Sequence, residues 1–530
     1  MIDGRVVVLL RSSSVARAPV YRHLRSLGAI LVLVHPYHPM PEFDGVFHHW
    51  LKFDTDDVAA VRVALQELLT ARNLKPDAIV SFDEYAVFQA AALAESFQLT
   101  PVPLPSAAIR QNNLKDRFRL FCAEHRINSP KSVCLPLPLL LSLEAMRTNA
   151  QTEELCDSVF DEVRAEIQNT ISTTLTAASI TFPVVLKPSP GAGSLLARLC
   201  ADIDEATRHV WCMLQTLSSY PDKKHLLAVV RGAGDSVELP ESPASPYVQI
   251  LAEEFISGQE VDIDCVVERG VVRFCSISDN FAPSPPYFAE VGGRCPSTLD
   301  FEAQRALRDL LESYVVACGD QLHGVLHFEA KYDFTRRTAY VIEVNCRPGS
   351  AETNTMINTV YRGMSLGESL VRCALQQPVR EQLVRLFPEV MLSSREPNHQ
   401  HLLINSSTGA SPMKEDGSSA SELDELAVPM WRALGGLARG FYPPQCWAAS
   451  VNVYPRCAGV LRKVQVPIGD PSLVAFSVSA SPGEIVAPPP KRFFLLSWIV
   501  ARGKTAVEAQ DNIEHLAANF VQEVEPQLTV

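Results

Sequence analysis

The sequence predicts an α/β fold, α+β in its middle, divided among several domains. Short apolar runs alternate with helix-length segments over the first hundred residues. Paired strand-like runs joined by turn residues fill the centre, and strand-like runs return near the C-terminus before a closing helix. A length of 530 residues accommodates about three or four such domains.

In chain order, Val6–Leu10 and Ile30–Val34 read as short buried strands, separated by a helix over Val15–Leu27 that Gly28 stops. Val58–Arg72 has helical spacing, and Asp77–Ser81 is a further strand, followed by Asp83 and Glu84. Acids just past the C-terminal end of a strand stand where open α/β sheets bind ligands, although capping of the helix near Ala86–Ser96 accounts for them equally well. Arg11-Ser12-Ser13-Ser14 occupies the turn where a dinucleotide-binding fold carries glycines, so neither NAD nor FAD is expected. Asn112–His125 reads as one helix bearing Lys115, Arg117 and Arg119, and Ser142–Ser179 as polar helix.

Thr181–Lys187 is a strand leading into the Pro188–Ser194 loop, and Ser218–Pro246 looks like an insertion before the strand Val248–Ile256. Glu260–Val267 and Val271–Ser278 form a hairpin about Glu268-Arg269-Gly270. Asp300–Ala317 is an amphipathic helix with Ala303, Leu307, Leu310, Leu311 and Tyr314 on one face. Ser393–Leu423 is expected to be a flexible insertion. Ala448–Tyr454, Val460–Val466 and Phe493–Val500 are strands, and Ala506–Val524 is the closing helix.

Composition narrows the function. A net charge of −13 argues against nucleic acid as the main partner, because phosphate backbones need clustered Lys and Arg. The longest apolar stretches, Leu135–Leu143 and Phe493–Ala501, are too short or too Pro-broken to span a bilayer. The N-terminus lacks a signal-peptide layout, and the 13 cysteines are scattered without metal or disulfide spacing. A cytosolic location with no membrane partner is expected.

The chemistry concentrates in two neighbouring segments. Val325–Ala330 and Tyr340–Asn345 read as strands about the turn Asp333–Thr338. Alternation puts His327 and Glu329 on one face, and Glu343 and Asn345 on one face, with Ile342 and Val344 turned into a core. As a hairpin these strands converge two carboxylates and an amide oxygen into a cage suited to Mg²⁺. Arg347 follows, able to grip a phosphate with its fork of donors. Each pattern alone also describes an ordinary polar strand face.

Upstream, Lys187 precedes Gly191-Ala192-Gly193-Ser194, whose small residues let backbone N–H groups approach a polyphosphate; taken alone, a plain turn is the simpler account. In Glu253-Glu254-Phe255-Ile256-Ser257-Gly258-Gln259-Glu260, Phe255 and Ile256 could face a purine and Glu260 could accept from ribose hydroxyls, or the segment is strand, turn and strand.

In order, Lys115, Lys187 with its Gly/Ser loop, Glu253–Ile256 with Gly258-x-Glu260, Glu329, and Glu343-x-Asn345-x-Arg347 resemble the ATP-grasp superfamily. The resemblance covers about 112–375. It implies an N-terminal Rossmann-like pre-ATP-grasp domain (1–111), an ATP-grasp core of two α+β subdomains (112–376, with a lid near 180–255), a linker with the insertion (377–425) and a strand-rich C-terminal lobe (426–530). It further implies that Lys115 and Lys187 hold ATP phosphates, with Gly191, Gly193 and Ser194 closing over them. The backbone of Glu253, Glu254, Phe255 and Ile256 would read adenine and Glu260 bind ribose. Glu329, Glu343 and Asn345 would hold Mg²⁺, with Mn²⁺ an acceptable substitute, and Arg347 with Lys187 would serve the transferred phosphoryl group. Leu195-Leu196, where relatives often carry another glycine, and Cys346 depart from the pattern.

Within the superfamily, Phe288–Pro296 and the segment Ser497–Ala509 look most like the amino-acid ligase and carnosine-synthase branch. That implies ATP-dependent joining of a small-molecule carboxylate and an amine through an acyl phosphate, with Arg294 meeting a substrate carboxylate and Glu290 an amino group. A solvated loop accounts for those two equally well. Relatives often form homodimers. A biotin-carboxylase-like carboxylase and an ATP-binding module without turnover are the competing readings.

Overall fold

The computed structural model describes residues 2–11, 15–38, 40–136, 157–191, 193–194, 196–219, 249–283, 285–393, 429–489 and 495–526. The expectations placed on 142–156, 220–246 and 394–423, and on Ala192 and Leu195, lie outside those residues. Mixed α/β architecture is what the described chain shows, in four sheets.

The first sheet is parallel, in the order His49–Lys52, Ile30–His35, Val6–Leu10, Ala78–Val80. Every residue of Val6–Leu10 is buried, as a parallel strand covered on both faces demands. Val6, Val8 and Leu10 pack with Val61, Leu65 and Leu69 of the helix Val58–Ala71. Val7 and Leu9 face the opposite core, shared with the helices Ala18–Ser26 and Leu366–Ala374.

An eight-stranded antiparallel sheet forms the centre, in the order Thr338–Asn345, Gly324–Asp333, Gln259–Glu268, Val271–Asn280, Gly292–Cys295, Trp447–Val453, Ser497–Gly503, Leu473–Val478. The helix Phe301–Cys318, capped at its N-terminus by Asp300, lays Ala303, Leu307, Leu310, Leu311 and Tyr314 against this sheet as its periodicity predicts. The C-terminal strands therefore continue the central sheet. A smaller sheet, Ser132–Cys134, Ile250–Glu254, Val184–Pro188, Arg198–Cys200, is covered by the helices Asp157–Ala177 and Ile203–Ser219.

Two helical expectations change. Asn112–His125 is two helices, Ser106–Asn113 and Lys115–Glu124, because Leu114 is extended (φ −95°, ψ 101°). The closing helix ends at Ala518, and Val521–Pro526 is a strand paired with Gly459–Gln465. No described helix is long and apolar enough to cross a membrane.

Candidate active site

Residues of the small and central sheets line one cavity of about 330 Å³. Its floor is the hairpin of Gly324–Asp333 and Thr338–Asn345, in which Glu329 stands opposite Glu343 and His327 opposite Asn345. The simple alternation that sends Ile342 into a core with Val344 does not hold. The ladder shifts between Glu329 and Ala330, which pairs with Val341, leaving Ile342 as the extra residue. Ala339, Val341 and Val344 are buried in the core, whereas Ile342 and Glu343 both line the cavity. The bulge re-aims Glu343.

Asn345 Nδ2 donates to Glu329 Oε1 at 2.8 Å, and Lys115 Nζ pairs with Glu343 Oε2 at 3.2 Å. Burial first, and repulsion by Glu343 second, push the Glu329 carboxyl well above the usual carboxylate range. Two facing carboxylates beside an amide make an oxygen-only donor set, which suits a hard divalent cation. Among the described residues no three His, Cys, Asp or Glu side chains form a metal cage.

The cationic wall is built on Glu253. Its carboxylate takes Lys187 Nζ at 2.6 Å and Arg119 Nε at 2.7 Å, all three side chains being buried. Burial works against the Glu253 charge, yet Arg119 and Lys187 outweigh it and hold the carboxyl below its ordinary value. Burial also lowers the Lys187 ammonium. Lys187 lines the cavity; Arg119 does not, and its Nη2 donates to Ile342 O at 2.7 Å. Lys115 Nζ donates to Gly191 O at 2.9 Å, tying the glycine loop to the helix Lys115–Glu124. Gly191 (φ 142°), Gly193 (φ 61°) and Ser194 (φ 56°) line the cavity in conformations that favour glycine.

At another end stand Glu254, Phe255, Ile256 and Glu260. Glu254 N is bonded to Lys131 O, and its carboxylate to Arg336 at 2.6 Å. Lys331 gathers the rest: its Nζ lies 5.2 Å from the Phe255 ring centre, donates to Ile256 O at 3.3 Å and pairs with Glu260 at 3.5 Å.

Arg347 lines the cavity with its Nε on Glu84 Oε2 at 2.7 Å, so Glu84, past the last parallel strand, belongs to the site. The helix there starts at Val87 with no side-chain cap on Ala86, while Asp83 just before it accepts from Tyr85 N through Oδ1 at 3.0 Å and from Val87 N through its carbonyl at 3.1 Å. His327 sits in an acidic nest: Nδ1 is 3.1 Å from Asp264, and Nε2 is 3.8 Å from both Asp262 and Glu329. Burial opposes its charge, but Asp262 and Asp264 prevail and raise it to about 10.

Glu290, an exposed residue, lines the cavity; desolvation within it, then Glu352 and Asp262, push its carboxyl up. Arg294 is not among the lining residues. It lies in Gly292–Cys295, pairs with Asp279 at 3.2 Å and donates to Thr298 Oγ1 at 2.7 Å. The structure does not bring Arg294 to the cavity; its charge meets Asp279 instead.

The sequence reading did not assign Arg119, Asp262, Lys331, Glu352 or Asn452 to the site. Lys331 follows Glu329 by two on one strand, and Asp262 pairs opposite Glu329, so alternation and hairpin register carry a signal for both. Glu352 and Asn452 arrive from a helix and a strand distant in the chain and have no local signature.

No family model matches the chain. Carnosine synthase 1 of Mus musculus is 24% identical over 381 residues, 71% of this chain and 40% of that protein. The chain thus spans well under half the length of that relative. An L-amino acid ligase from Bacillus licheniformis aligns over 99% of this chain and 100% of its own at a TM-score of 0.66 and 14% identity. The biotin carboxylase domain of the Hydrogenobacter thermophilus 2-oxoglutarate carboxylase aligns over 98% of this chain and 90% of its own, at a TM-score of 0.56 and 12% identity. The fold is the ATP-grasp fold that the ordered residues led one to expect.

Proposed function

We propose that the chain is an ATP-dependent carboxylate–amine ligase. It joins an amino acid or a related small acid to an amine, converting ATP to ADP and phosphate by way of an acyl phosphate. The observation that carries this reading is one cavity lined at once by Glu329, Glu343 and Asn345, by Lys115 and Lys187, and by Arg347. Relatives whose printed names are carnosine synthase and L-amino acid ligase support it.

Phosphoryl transfer asks a protein for position and charge neutralisation more than covalent help. Lys187 and Lys115 draw the triphosphate against the loop Gly191–Ser194. Phe255, Ile256 and Ile342 give the purine apolar surface, and Glu260 accepts from the ribose. Glu329, Glu343 and Asn345 would hold Mg²⁺, or Mn²⁺ in its place, and the ion would supply positive charge to offset that of the phosphates. Arg347, held by Glu84, presents its remaining donors to the oxygens of the phosphoryl group as it passes to the carboxylate and charge builds on the departing ADP oxygen. Covering of the loop excludes water that would otherwise hydrolyse the acyl phosphate.

The test is ADP release across a panel of amino acids and small acids, alone and in pairs with amines, with the amide product identified by mass. The proposal expects ADP and amide in equal amounts, dependent on both substrates. ADP release driven by bicarbonate with biotin would favour the carboxylase reading, and ATP binding without turnover on any pair would favour the non-catalytic one.

A further inference from the structure

The helix Lys115–Glu124 carries a buried cation that the proposed mechanism leaves unused. Arg119 follows Lys115 by one helical turn, so the two share a helix face. Lys115 lines the cavity, whereas Arg119 is only 4% exposed and is not among the lining residues. Its guanidinium joins two sheets. Nε donates to Glu253 Oε1 at 2.7 Å, in the strand Ile250–Glu254 of the small sheet. Nη2 donates to Ile342 O at 2.7 Å, in the edge strand of the central sheet.

Each acceptor adjoins a group that faces the cavity. Glu253 also takes Lys187 Nζ at 2.6 Å. Ile342 is the extra residue of the bulge and the chain neighbour of Glu343. A bulge leaves its extra residue without a ladder partner, so at a sheet edge another group must hold it in place. The helix and the segment after it supply two such holds. Arg119 takes Ile342 O, and Asn128 O accepts from Val341 N at 2.9 Å. From the same helix face, Lys115 meets the Glu343 carboxylate at 3.2 Å.

We infer that Arg119 is a positioning residue that sets the separation between the phosphate cation Lys187 and the metal ligand Glu343. It acts on the first through the Glu253 carboxylate and on the second through the backbone of Ile342. This rests on the nucleotide and metal roles proposed for the cavity. Two acceptors at fixed places suit the flat, rigid fork of a guanidinium, whereas the ammonium of a lysine is a point charge on a flexible stem. The separation matters because position is most of what phosphoryl transfer takes from the protein.

The experiment compares the full chain as wild type, Arg119→Lys and Arg119→Gln. It measures ADP affinity in EDTA by calorimetry, Mn²⁺ affinity of the ADP-loaded protein by electron paramagnetic resonance, and turnover. Lysine keeps a positive charge beside Glu253, and glutamine leaves Glu253 and Lys187 balanced one to one, so neither variant strands a buried ion. Both keep the wild-type ADP affinity, which shows that they are folded. Their Mn²⁺ affinity and kcat fall about 10- to 100-fold, the range for groups that orient metal ligands. Wild-type Mn²⁺ affinity in the variants overturns the inference. Loss of ADP and Mn²⁺ binding in equal measure also overturns it, because a residue that serves only the fold weakens both alike. The wild type tests the parent reading separately. Without Mn²⁺ uptake in the presence of ADP, the metal role falls and this inference with it. Uptake without turnover on any substrate pair would sink the ligase reading and leave the assignment of Arg119 standing.

Discussion

Glu329 and Glu343 stand directly opposite each other in one antiparallel ladder, and Asn345 Nδ2 bonds Glu329 Oε1 at 2.8 Å. Without a cation between them, facing carboxylates destabilise the fold, so their arrangement serves something other than stability. Glu343→Gln removes the repulsion, the counter-charge of Lys115 and a proposed metal ligand together. We expect an unchanged or higher melting temperature and ADP formation lowered about 100-fold or more. Scanning calorimetry and a coupled ADP assay on the same preparation check both halves.

Glu253 holds two buried cations, Lys187 and Arg119. Glu253→Ala leaves both without a counter-charge, and breaking a buried pair by removing one partner costs about 3–5 kcal/mol. A urea titration should show that loss at unchanged slope. A midpoint close to wild type would mean that other groups neutralise the two cations.

Arg347 is aimed by Glu84. Glu84→Gln keeps an acceptor at Nε and Glu84→Ala removes it, so turnover should fall in the order wild type, Gln, Ala. A misplacement of about 1 Å is enough to cost about 100-fold. ADP affinity should hold in both variants, which separates aiming of Arg347 from nucleotide binding.

A pH effect on stability is expected at Glu368, which is fully buried and bonded to His23 (2.9 Å), Arg372 (2.9 Å) and Arg385 (2.7 Å). Burial pushes its carboxyl up, but the hydrogen bonds from His23, Arg385 and Arg372 prevail and bring it from 4.5 down to about 2. A depressed carboxyl stabilises the fold fully above its ordinary value, and the contribution disappears as pH falls through about 2. Glu368→Gln should therefore melt below wild type at pH 7, and the gap should narrow steadily under acid. A gap that does not depend on pH would assign the effect to packing.

Much of the site was legible because its residues sit at fixed short spacings. Glu343-x-Asn345-x-Arg347, Lys187 before its glycine loop and Phe255-Ile256 all line the cavity. What escaped depends on distance or on backbone irregularity. The bulge at Ile342 leaves no mark in the sequence, because its cause is the register of the neighbouring strand. Arg294 carries the right charge, but its partner Asp279 is a cross-strand neighbour that linear reading does not couple to it. Val521–Val524 read as the end of the closing helix because so short a run fits either periodicity until a partner strand decides.

In the proposed site the hairpin carboxylates meet a nucleotide through a divalent cation. Titrating Mn²⁺ into the nucleotide-loaded protein and following bound Mn²⁺ by electron paramagnetic resonance tests it directly. Wild type should bind Mn²⁺ only with ADP or ATP present, and Glu343→Gln should lose that binding while still taking up nucleotide. Mn²⁺ retained by Glu343→Gln at wild-type affinity would contradict the account.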